Sequence, residues 1–442
     1  MSYKVGMVSL GCPKNQVDAE IMLSLLSEGG YELTADEKQA DAIIVNTCGF
    51  IGDAKKEAIE NILELAQLKQ TDNLKALIVT GCLAERYRDE ILSEMPEVDA
   101  VVGIGSNKNI CSVVKAAVEG CPYSEFGEKT ALLMDHDRIL TTPPYSAYLR
   151  VADGCDNCCT YCAIPMIRGG YRSRKMEDIL AEANTLAQNG AKEIILIAQD
   201  TTRYGEDIYN KLMLPQLLDK LCEIDGIKWI RILYTYPDKI TDELLHTIKN
   251  QPKVLNYLDI PLQHASGDVL SRMNRTGDFD SLTKLIAHIR EIIPGITIRT
   301  TFIVGFPGET EEDFEQLATF VKNTGFNRMG CFTYSPEEGT VAADMEDQVD
   351  EDVKQRRQEI LMTEQSVVNE EISADMIGKN VTVLIEGYDS LNKCYYGRSE
   401  ADAPDIDGKV FIASTKPLSV GDMVEVCVFD VIDYDLLGDL VD

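Results

Sequence analysis

Short apolar runs alternate with amphipathic helical patterns along the first hundred or so residues, and this alternation restricts the fold more than any other feature. Apolar residues recur at helical spacing in QVDAEIMLSLLSEGG, which ends in two glycines, and again in DAKKEAIENILELAQ. The strand–helix–strand rhythm predicts a parallel sheet with helices on both faces. We therefore expect an open parallel-sheet α/β domain over residues 1–120. Its predicted strands are Val5–Leu10, Ala42–Asn46, Ala76–Thr80 and Ala100–Gly103.

A second strand–helix series follows residues 121–146, which are rich in proline, glycine and mixed charge and which we interpret as a linker. Six apolar runs separated by helical patterns indicate a partial or full parallel (β/α) barrel over residues 147–374. The active site of such a barrel lies at the carboxyl ends of its strands. The predicted strands are Tyr148–Asp153, Glu193–Asp200, Trp229–Tyr234, Tyr257–His264, Ile296–Gly305 and Arg328–Ser335.

The composition changes near the carboxyl end of the chain. Residues 337–374 carry 12 acidic against 3 basic side chains and indicate an exposed helix. Residues 375–442 lose the helical period and contain short β runs separated by glycines and Asp-rich turns, which predicts a small antiparallel β-barrel. This last segment has 14 acidic against 5 basic side chains.

The net charge of the chain restricts its partners. With 42 Lys and Arg against 74 Asp and Glu, the formal charge is −32, which repels phosphate backbones and favours basic proteins or small molecules. Neither an apolar run of about 18 residues nor a secretory signal pattern is found in the sequence. We therefore expect a cytoplasmic protein without a membrane span.

The segment GCDNCCTYCAIP, at the end of the first predicted barrel strand, is the strongest chemical signal. Thiolates of Cys155, Cys159 and Cys162 lie close enough in the chain to bind three irons of a cubane cluster, leaving the fourth iron open for a small molecule. The extra Cys158 creates two overlapping CxxC pairs, but a tetrahedral zinc site requires pairs separated by roughly a dozen residues or more. We predict an iron–sulfur cluster on the three cysteines, without Cys158.

Three further cysteines, Cys12, Cys48 and Cys82, each follow a predicted strand of the first domain by one or two residues. Because parallel strands end at the same edge of a sheet, these thiols could converge on a second cluster. The alternative is three small buried side chains, since cysteine is often fully buried. Their equivalent positions, each in a polar or glycine-containing turn, favour the cluster.

At GCDNCCTYCAIP the chain resembles the radical S-adenosylmethionine (SAM) superfamily, including the aromatic Tyr161 before the third cysteine. With the amino-terminal cysteines it resembles the methylthiotransferases of that superfamily, which end in a TRAM barrel. The segments SLGCPKNQVDAE, NTCGFIGDAKKEA, AQDTTRYG and DIPLQH are similar to the type that acts on a ribosomal protein rather than to the tRNA types.

The resemblance implies a reaction that uses two 4Fe-4S clusters and SAM. A radical derived from SAM would remove a hydrogen from the β-carbon of an aspartate on small-subunit ribosomal protein twelve, a basic protein. The amino-terminal cluster would supply sulfur, and a second SAM its methyl group. The resemblance names no electron donor. A first alternative is the same chemistry on tRNA, which the acidic carboxyl-terminal segment disfavours. A second is a non-enzymatic iron–sulfur carrier.

Polar and glycine residues at the barrel strand ends are the candidate SAM contacts. Turn capping is the alternative for the polar residues, and a simple turn is the alternative for the glycines. The basic segment RGGYRSR could bind substrate carboxylates or phosphates, or form a solvated face. The predicted cofactor-binding residues are Tyr161, Gln199, Asp200, Gln263, Gly305 and Gly308.

Overall fold

The computed structural model describes residues 3–49 and 51–441, so that Phe50 of the NTCGFIGDAKKEA segment lies outside the described residues. The amino-terminal domain contains a six-stranded parallel sheet in the order β2-β1-β3-β4-β5-β6, which confirms the predicted parallel-sheet architecture. Its strands are β1 (Lys4–Ser9), β2 (Glu32–Leu33), β3 (Ala42–Thr47), β4 (Ala76–Gly81), β5 (Ala100–Val102) and β6 (Tyr123–Glu125). Its helices are α1 (Pro13–Glu28), α2 (Gly52–Ala66), α3 (Leu68–Thr71), α4 (Cys82–Arg86), α5 (Arg88–Glu94) and α6 (Ile110–Val118).

The register of this sheet aligns the ends of its three central strands. Ser9 pairs with Asn46, and Asn46 pairs with Thr80, so β1, β3 and β4 end side by side. All residues of β3 and β4 are buried, because helices cover both faces of the sheet. The turns after these strands therefore meet at one edge.

The central domain is an incomplete barrel of six parallel strands. Three form a sheet in the order β11-β10-β7 and three form a sheet in the order β12-β13-β14, and a parallel bridge between Ile230 and Val254 links the β11 side to the segment before β12. This arrangement confirms the predicted partial barrel. The strands are β7 (Ser146–Arg150), β10 (Glu193–Ile197), β11 (Trp229–Ile232), β12 (Tyr257–Asp259), β13 (Thr297–Val304) and β14 (Arg328–Thr333), with a small hairpin of β8 (Ala152–Asp153) and β9 (Arg172–Ser173).

Helices pack on the outside of the barrel, where Leu149, Ile194 and Phe302 belong to one continuous buried core. The helices are α7 (Ile164–Arg168), α8 (Met176–Gln188), α9 (Glu206–Tyr209), α10 (Leu214–Cys222), α11 (Asp242–Asn250), α12 (Gly267–Arg272), α13 (Phe279–Ile292), α14 (Glu311–Thr324) and α15 (Glu351–Ala374). The expectation of an exposed helix is wrong for one face of α15. Leu361 and Gln365 are fully buried there, because the helix packs against β14 and α14.

The carboxyl-terminal domain is a closed five-stranded barrel in the order β15-β16-β17-β19-β18. Four of its five pairings are antiparallel, as predicted, and the pairing of β17 with β19 is parallel. The strands are β15 (Asn380–Asp389), β16 (Cys394–Ser399), β17 (Val410–Ala413), β18 (Met423–Ile432) and β19 (Asp435–Leu440).

Buried ion pairs attach this small barrel to the central one. Glu193, the first residue of β10, accepts hydrogen bonds from Arg231 at 2.9 Å and from Arg398 of the small barrel at 2.6 Å. The two guanidinium groups outweigh the cost of burial and lower the pKa of Glu193 to about 2. Because these contacts lie at the amino-terminal ends of the barrel strands, the carboxyl ends stay available for a site. In the described part of the chain, no helix is both long and apolar enough to cross a membrane.

Candidate active site

The structure brings Cys12, Cys48 and Cys82 together at the edge where β1, β3 and β4 end. Cys12 immediately precedes α1, Cys48 follows β3, and Cys82 begins α4. Two glycines with left-handed backbones permit this approach: a Cβ on Gly11 (φ +92°) would lie 2.6 Å from Cβ of Cys48, and one on Gly81 (φ +94°) would lie 2.4 Å from a backbone oxygen. Cys12 and Cys48 are electrostatic neighbours of Cys82. The three cysteines therefore lie at one edge of the sheet, and their role as ligands of one cluster stays a prediction.

The environment of Cys82 is buried and polar. Burial raises the pKa of its thiol to about 12, although the nearby Arg168 partly offsets this effect. Nη2 of Arg168 is 3.9 Å from the sulfur, and Oδ1 of Asn15 is 3.8 Å from it. Binding of a metal here has to displace a proton, as it does at thiolate sites in general.

The second group of cysteines lies on the loop between β8 and α7. Cys155, Cys159 and Cys162 are mutual electrostatic neighbours, and burial raises the pKa of Cys155 to about 11 and that of Cys162 to about 12. Cys158, in contrast, is exposed and has a left-handed backbone with φ of 51°. The loop therefore turns Cys158 to the solvent and gathers the other three thiols.

Two contacts fix this loop on the barrel. Nδ2 of Asn157 donates to the Asp200 carboxylate at 2.9 Å, and Oγ1 of Thr160 donates to the backbone oxygen of Arg272 at 2.8 Å. The other carboxylate oxygen of Asp200 accepts from the backbone N–H of Thr202 at 3.1 Å. Asp200 is thus engaged in capping its own turn and in holding the cysteine loop, and its predicted contact with SAM stays a prediction.

Sequence reasoning missed two residues beside Cys159. Nη1 of Arg275 is 3.7 Å from the Cys159 sulfur, and the Tyr236 hydroxyl is 3.9 Å from it. The guanidinium lies over the Tyr236 ring, 4.3 Å from its centroid. Tyr236 could have been predicted as a site residue, because it lies just after the third barrel strand. Nothing in the sequence near Arg275 points to the site.

A cavity of about 750 Å³ opens beside the cysteine loop at the carboxyl ends of β13 and β14. Tyr161 and Gln263 both line it, together with Ile303 and Phe332. Gln263 has a left-handed backbone with φ of 73°, and its buried Oε1 has no hydrogen-bond partner within the described protein. An unpaired acceptor on the wall of a cavity fits a polar ligand, which supports the prediction for Gln263. The predicted contact of Tyr161 with SAM stays a prediction.

Three further predicted SAM contacts, Gln199, Gly305 and Gly308, make contacts within the protein. Nε2 of Gln199 lies 3.5 Å from Asp153, while its buried Oε1 is unpaired within the described residues. The Gly305 N–H donates to Glu309 within the turn, and a Cβ on Gly308 would lie 1.6 Å from a guanidinium nitrogen of Arg272. These residues close a tight turn, and a role in SAM binding stays a prediction.

Buried charges connect the two cysteine groups. Arg168 donates to Asp18 of α1 and to Asp153, both at 2.8 Å, and Arg150 also donates to Asp18. All four side chains are nearly inaccessible. Because Asp153 lies two residues before Cys155 while Arg168 lies beside Cys82, this ion network spans the space between the two predicted cluster sites.

Two of the three arginines in the basic segment RGGYRSR are engaged by carboxylates of the protein itself. Arg168 and Arg174 are buried, and Arg174 pairs with Asp135 and Glu182. These two side chains do not form a solvated face, whereas Arg172 is half-buried and donates to backbone oxygens. A contact between this segment and the substrate stays a prediction. A further buried ion pair joins Glu20 of α1 to Arg138 of the segment before β7.

Within the residues that the structure describes, no three Cys, His, Asp or Glu side chains are grouped as ligands of a single metal ion. The six cysteines therefore stay predicted cluster ligands. Their chemistry fits, since thiolates are the usual ligands of iron–sulfur clusters and each group supplies three.

Three family matches cover most of the chain. Residues 4–103 match "Uncharacterized protein family UPF0004", residues 149–321 match the radical SAM superfamily, and residues 377–441 match the TRAM domain. Together with the fold and the two cysteine groups, these matches define a radical SAM methylthiotransferase.

Curated relatives give a finer assignment. Proteins named ribosomal protein uS12 methylthiotransferase RimO are 52% identical in Thermoanaerobacter sp. (strain X514) and 53% identical in Caldanaerobacter subterraneus subsp. tengcongensis, each over 98% of this chain and 99% of the relative. The RimO protein of Clostridioides difficile is 48% identical over 99% of both chains. The chain belongs to the RimO family.

Solved structures show the same fold at low identity. The radical SAM methyltransferase TsrM from Kitasatospora setae, with cobalamin and a [4Fe-4S] cluster bound, is 15% identical, with a TM-score of 0.57 over 76% of this chain and 77% of that chain. The cobalamin-dependent radical enzyme OxsB is 13% identical, with a TM-score of 0.50 over 82% of this chain and 56% of that chain. At this identity the likeness concerns the fold alone.

Proposed function

We propose that this chain transfers a methylthio group to the β-carbon of an aspartate in ribosomal protein uS12, using SAM and two 4Fe-4S clusters. The observation that carries the proposal is the pair of cysteine groups at the carboxyl ends of two adjoining parallel sheets, joined through Arg168. Family membership supports the substrate, since the relatives are named for uS12.

The proposed ligand sets are Cys155, Cys159 and Cys162 in the barrel, and Cys12, Cys48 and Cys82 in the amino-terminal domain. When bound, the first cluster supplies the electron and the open iron for SAM cleavage, and the second supplies the sulfur. Acid–base side chains cannot open an unactivated C–H bond, so a cofactor has to carry that step. In the net change, an –SCH3 group replaces one β-hydrogen of the aspartate, and the radical derived from SAM would take up that hydrogen.

The side chains of this protein then have supporting tasks. Asn157 and Asp200 hold the barrel cysteine loop, while Arg275 and Tyr236 approach the Cys159 sulfur. Hydrogen bonds and positive charge near cluster sulfurs raise the reduction potential of such clusters. The cavity lined by Tyr161 and Gln263 would take SAM.

Two other functions are less well supported. A tRNA substrate disagrees with the acidic small barrel, which carries 14 acidic against 5 basic side chains. A non-enzymatic iron–sulfur carrier needs no cavity of about 750 Å³ beside its cysteine loop. We also propose that the enzyme acts in the cytoplasm, because its substrate is a ribosomal protein.

The test is reaction of the anaerobically reconstituted chain with uS12, SAM and a chemical reductant. Mass spectrometry of uS12 peptides should show one hydrogen replaced by a methylthio group on an aspartate. In parallel, tRNA should stay unmodified. Modified tRNA with unmodified uS12 would establish the alternative, and SAM that stays uncleaved would favour a carrier.

A further inference from the structure

Lys14 is a buried cation that lacks an acidic partner. Its side chain is 6% exposed, and Nζ lies 3.4 Å from the backbone oxygen of Ala198 and 3.3 Å from the centroid of the Tyr234 ring. In the described chain no carboxylate oxygen is within ion-pair distance of Nζ, whereas the neighbouring Arg150 and Arg168 each contact one. A buried ammonium without a carboxylate is costly unless a ligand supplies the negative charge.

The carboxylates nearest to Lys14 are already engaged. Burial lowers the pKa of Lys14, and the negative electrostatic neighbours that oppose this effect are Cys12, Asp153 and Asp259. Asp153 accepts from Arg168, while Asp259 accepts from Arg299 at 2.9 Å and from the Tyr234 N–H at 3.0 Å. Lys14 therefore keeps hydrogen-bond donors for a group from outside the chain, since an ammonium has three.

The position of Lys14 matches the site. It lies two residues after Cys12, while Ala198 and Tyr234 follow the carboxyl ends of β10 and β11. Tyr234 has a left-handed backbone with φ of 60°, a strained conformation of the kind that clusters at functional sites. The ammonium thus lies between the amino-terminal cysteine group and the mouth of the barrel.

Arg275 is also a buried cation at the mouth of the barrel and has no carboxylate partner among the described residues, but its hydrogen-bond donors are already engaged. The Arg275 guanidinium contacts the Cys159 sulfur and donates to the Pro261 backbone oxygen at 2.7 Å. Its donors hold the cysteine loop and the adjoining strand end. Lys14 is therefore the better placed of the two for binding an anion.

We propose that Lys14 binds the side-chain carboxylate of the substrate residue and thereby selects an acidic target. This inference rests on the proposed function. An aspartate side chain has one methylene between its backbone and its carboxylate, so the carboxylate is the only polar group of the side chain through which the enzyme can orient the β-hydrogens. A charge-assisted hydrogen bond from an ammonium supplies both affinity and direction. The methionyl carboxylate of SAM has the same chemistry, and the test separates the two sources.

The experiment compares Lys14→Met, Lys14→Arg and, as a matched control on the exposed side of α6, Lys115→Met. Each reconstituted full-length chain is titrated with uS12 carrying aspartate at the target position and with uS12 carrying asparagine there. Affinity for SAM is measured separately by equilibrium dialysis. Because methionine has about the volume of lysine, we expect the folded structure to persist in Lys14→Met, which circular dichroism verifies.

We expect the unaltered chain and Lys115→Met to bind the aspartate form at least about tenfold more tightly than the asparagine form, as one charged hydrogen bond predicts. Lys14→Met should reduce this preference to less than about threefold, and Lys14→Arg should retain part of it.

A preference that persists in Lys14→Met would overturn the inference. So would a loss of SAM affinity with the preference intact, which would assign Lys14 to the SAM carboxylate. If the unaltered chain modifies uS12 while the preference survives in Lys14→Met, only this inference fails. If the unaltered chain leaves uS12 unmodified, the proposed function fails as well.

Discussion

Arg168 of the barrel donates to Asp18 of the first helix at 2.8 Å, and both side chains are almost completely buried. The same guanidinium lies beside Cys82 and contacts Asp153, close to the barrel cysteine loop. One side chain therefore joins two domains and the two predicted cluster sites.

Replacing Arg168 by glutamine should lower the free energy of unfolding by about 3–5 kcal/mol, because it leaves buried carboxylates without their charge partner. Urea unfolding followed by circular dichroism measures this change. The matched control is Arg172→Gln, since Arg172 donates only to backbone oxygens and should cost about 1.5 kcal/mol or less. Equal losses in the two variants would contradict a special role for the buried network.

Replacing Cys48 by alanine should remove one cluster and leave the other. Two four-iron clusters imply about eight irons per reconstituted chain, and Cys48→Ala and Cys155→Ala should each reduce this to about four. Iron and acid-labile sulfide assays measure the content. Cys158→Ala is the control and should keep about eight irons, because Cys158 is exposed and turned away from the loop interior. An iron content unchanged in Cys48→Ala would remove the amino-terminal cluster from the proposal.

Acid should destabilise the fold through His264. Burial lowers the pKa of its imidazole from 6.5 to about 3, so the unfolded chain takes up a proton in a range where the folded chain does not. Stability from this group is present above pH 6.5 and is lost as the pH falls. Between pH 7 and pH 5 we expect the unaltered chain to lose about 2 kcal/mol relative to His264→Gln. Urea titrations at the two pH values test this, and the exposed His288→Gln should behave like the unaltered chain.

Binding of uS12 should weaken as salt rises, because the small barrel and the segment before it carry an excess of acidic side chains. Association kinetics measured between low and physiological ionic strength should show a falling rate constant. Asp430→Asn, at an exposed position of β18, should reduce this salt dependence slightly without changing SAM affinity. A rate constant that stays flat across the salt range would argue against electrostatic attraction.

The sequence was sufficient to predict the strands and helices, and to predict that the three amino-terminal cysteines lie at one edge of the sheet. Buried parallel strands are continuous apolar runs, and the parallel arrangement then places Cys12, Cys48 and Cys82 at one edge. The sequence could not assign charge partners, since Arg168 and Asp18 lie 150 residues apart and charged side chains are usually exposed. For the same reason the burial of Lys14 against Tyr234 and the approach of Arg275 to Cys159 became visible only in the structure.

The ion pairs of the first helix make the stability of the barrel depend on the amino-terminal domain. Asp18 and Glu20 neutralise arginines that are buried in or beside the barrel. A barrel expressed without residues 1–120 would therefore expose the apolar side chains that pack against α1, and Arg138, Arg150 and Arg168 would lose the carboxylates of Asp18 and Glu20. We therefore expect each of the two domains to be less stable when it is expressed without the other.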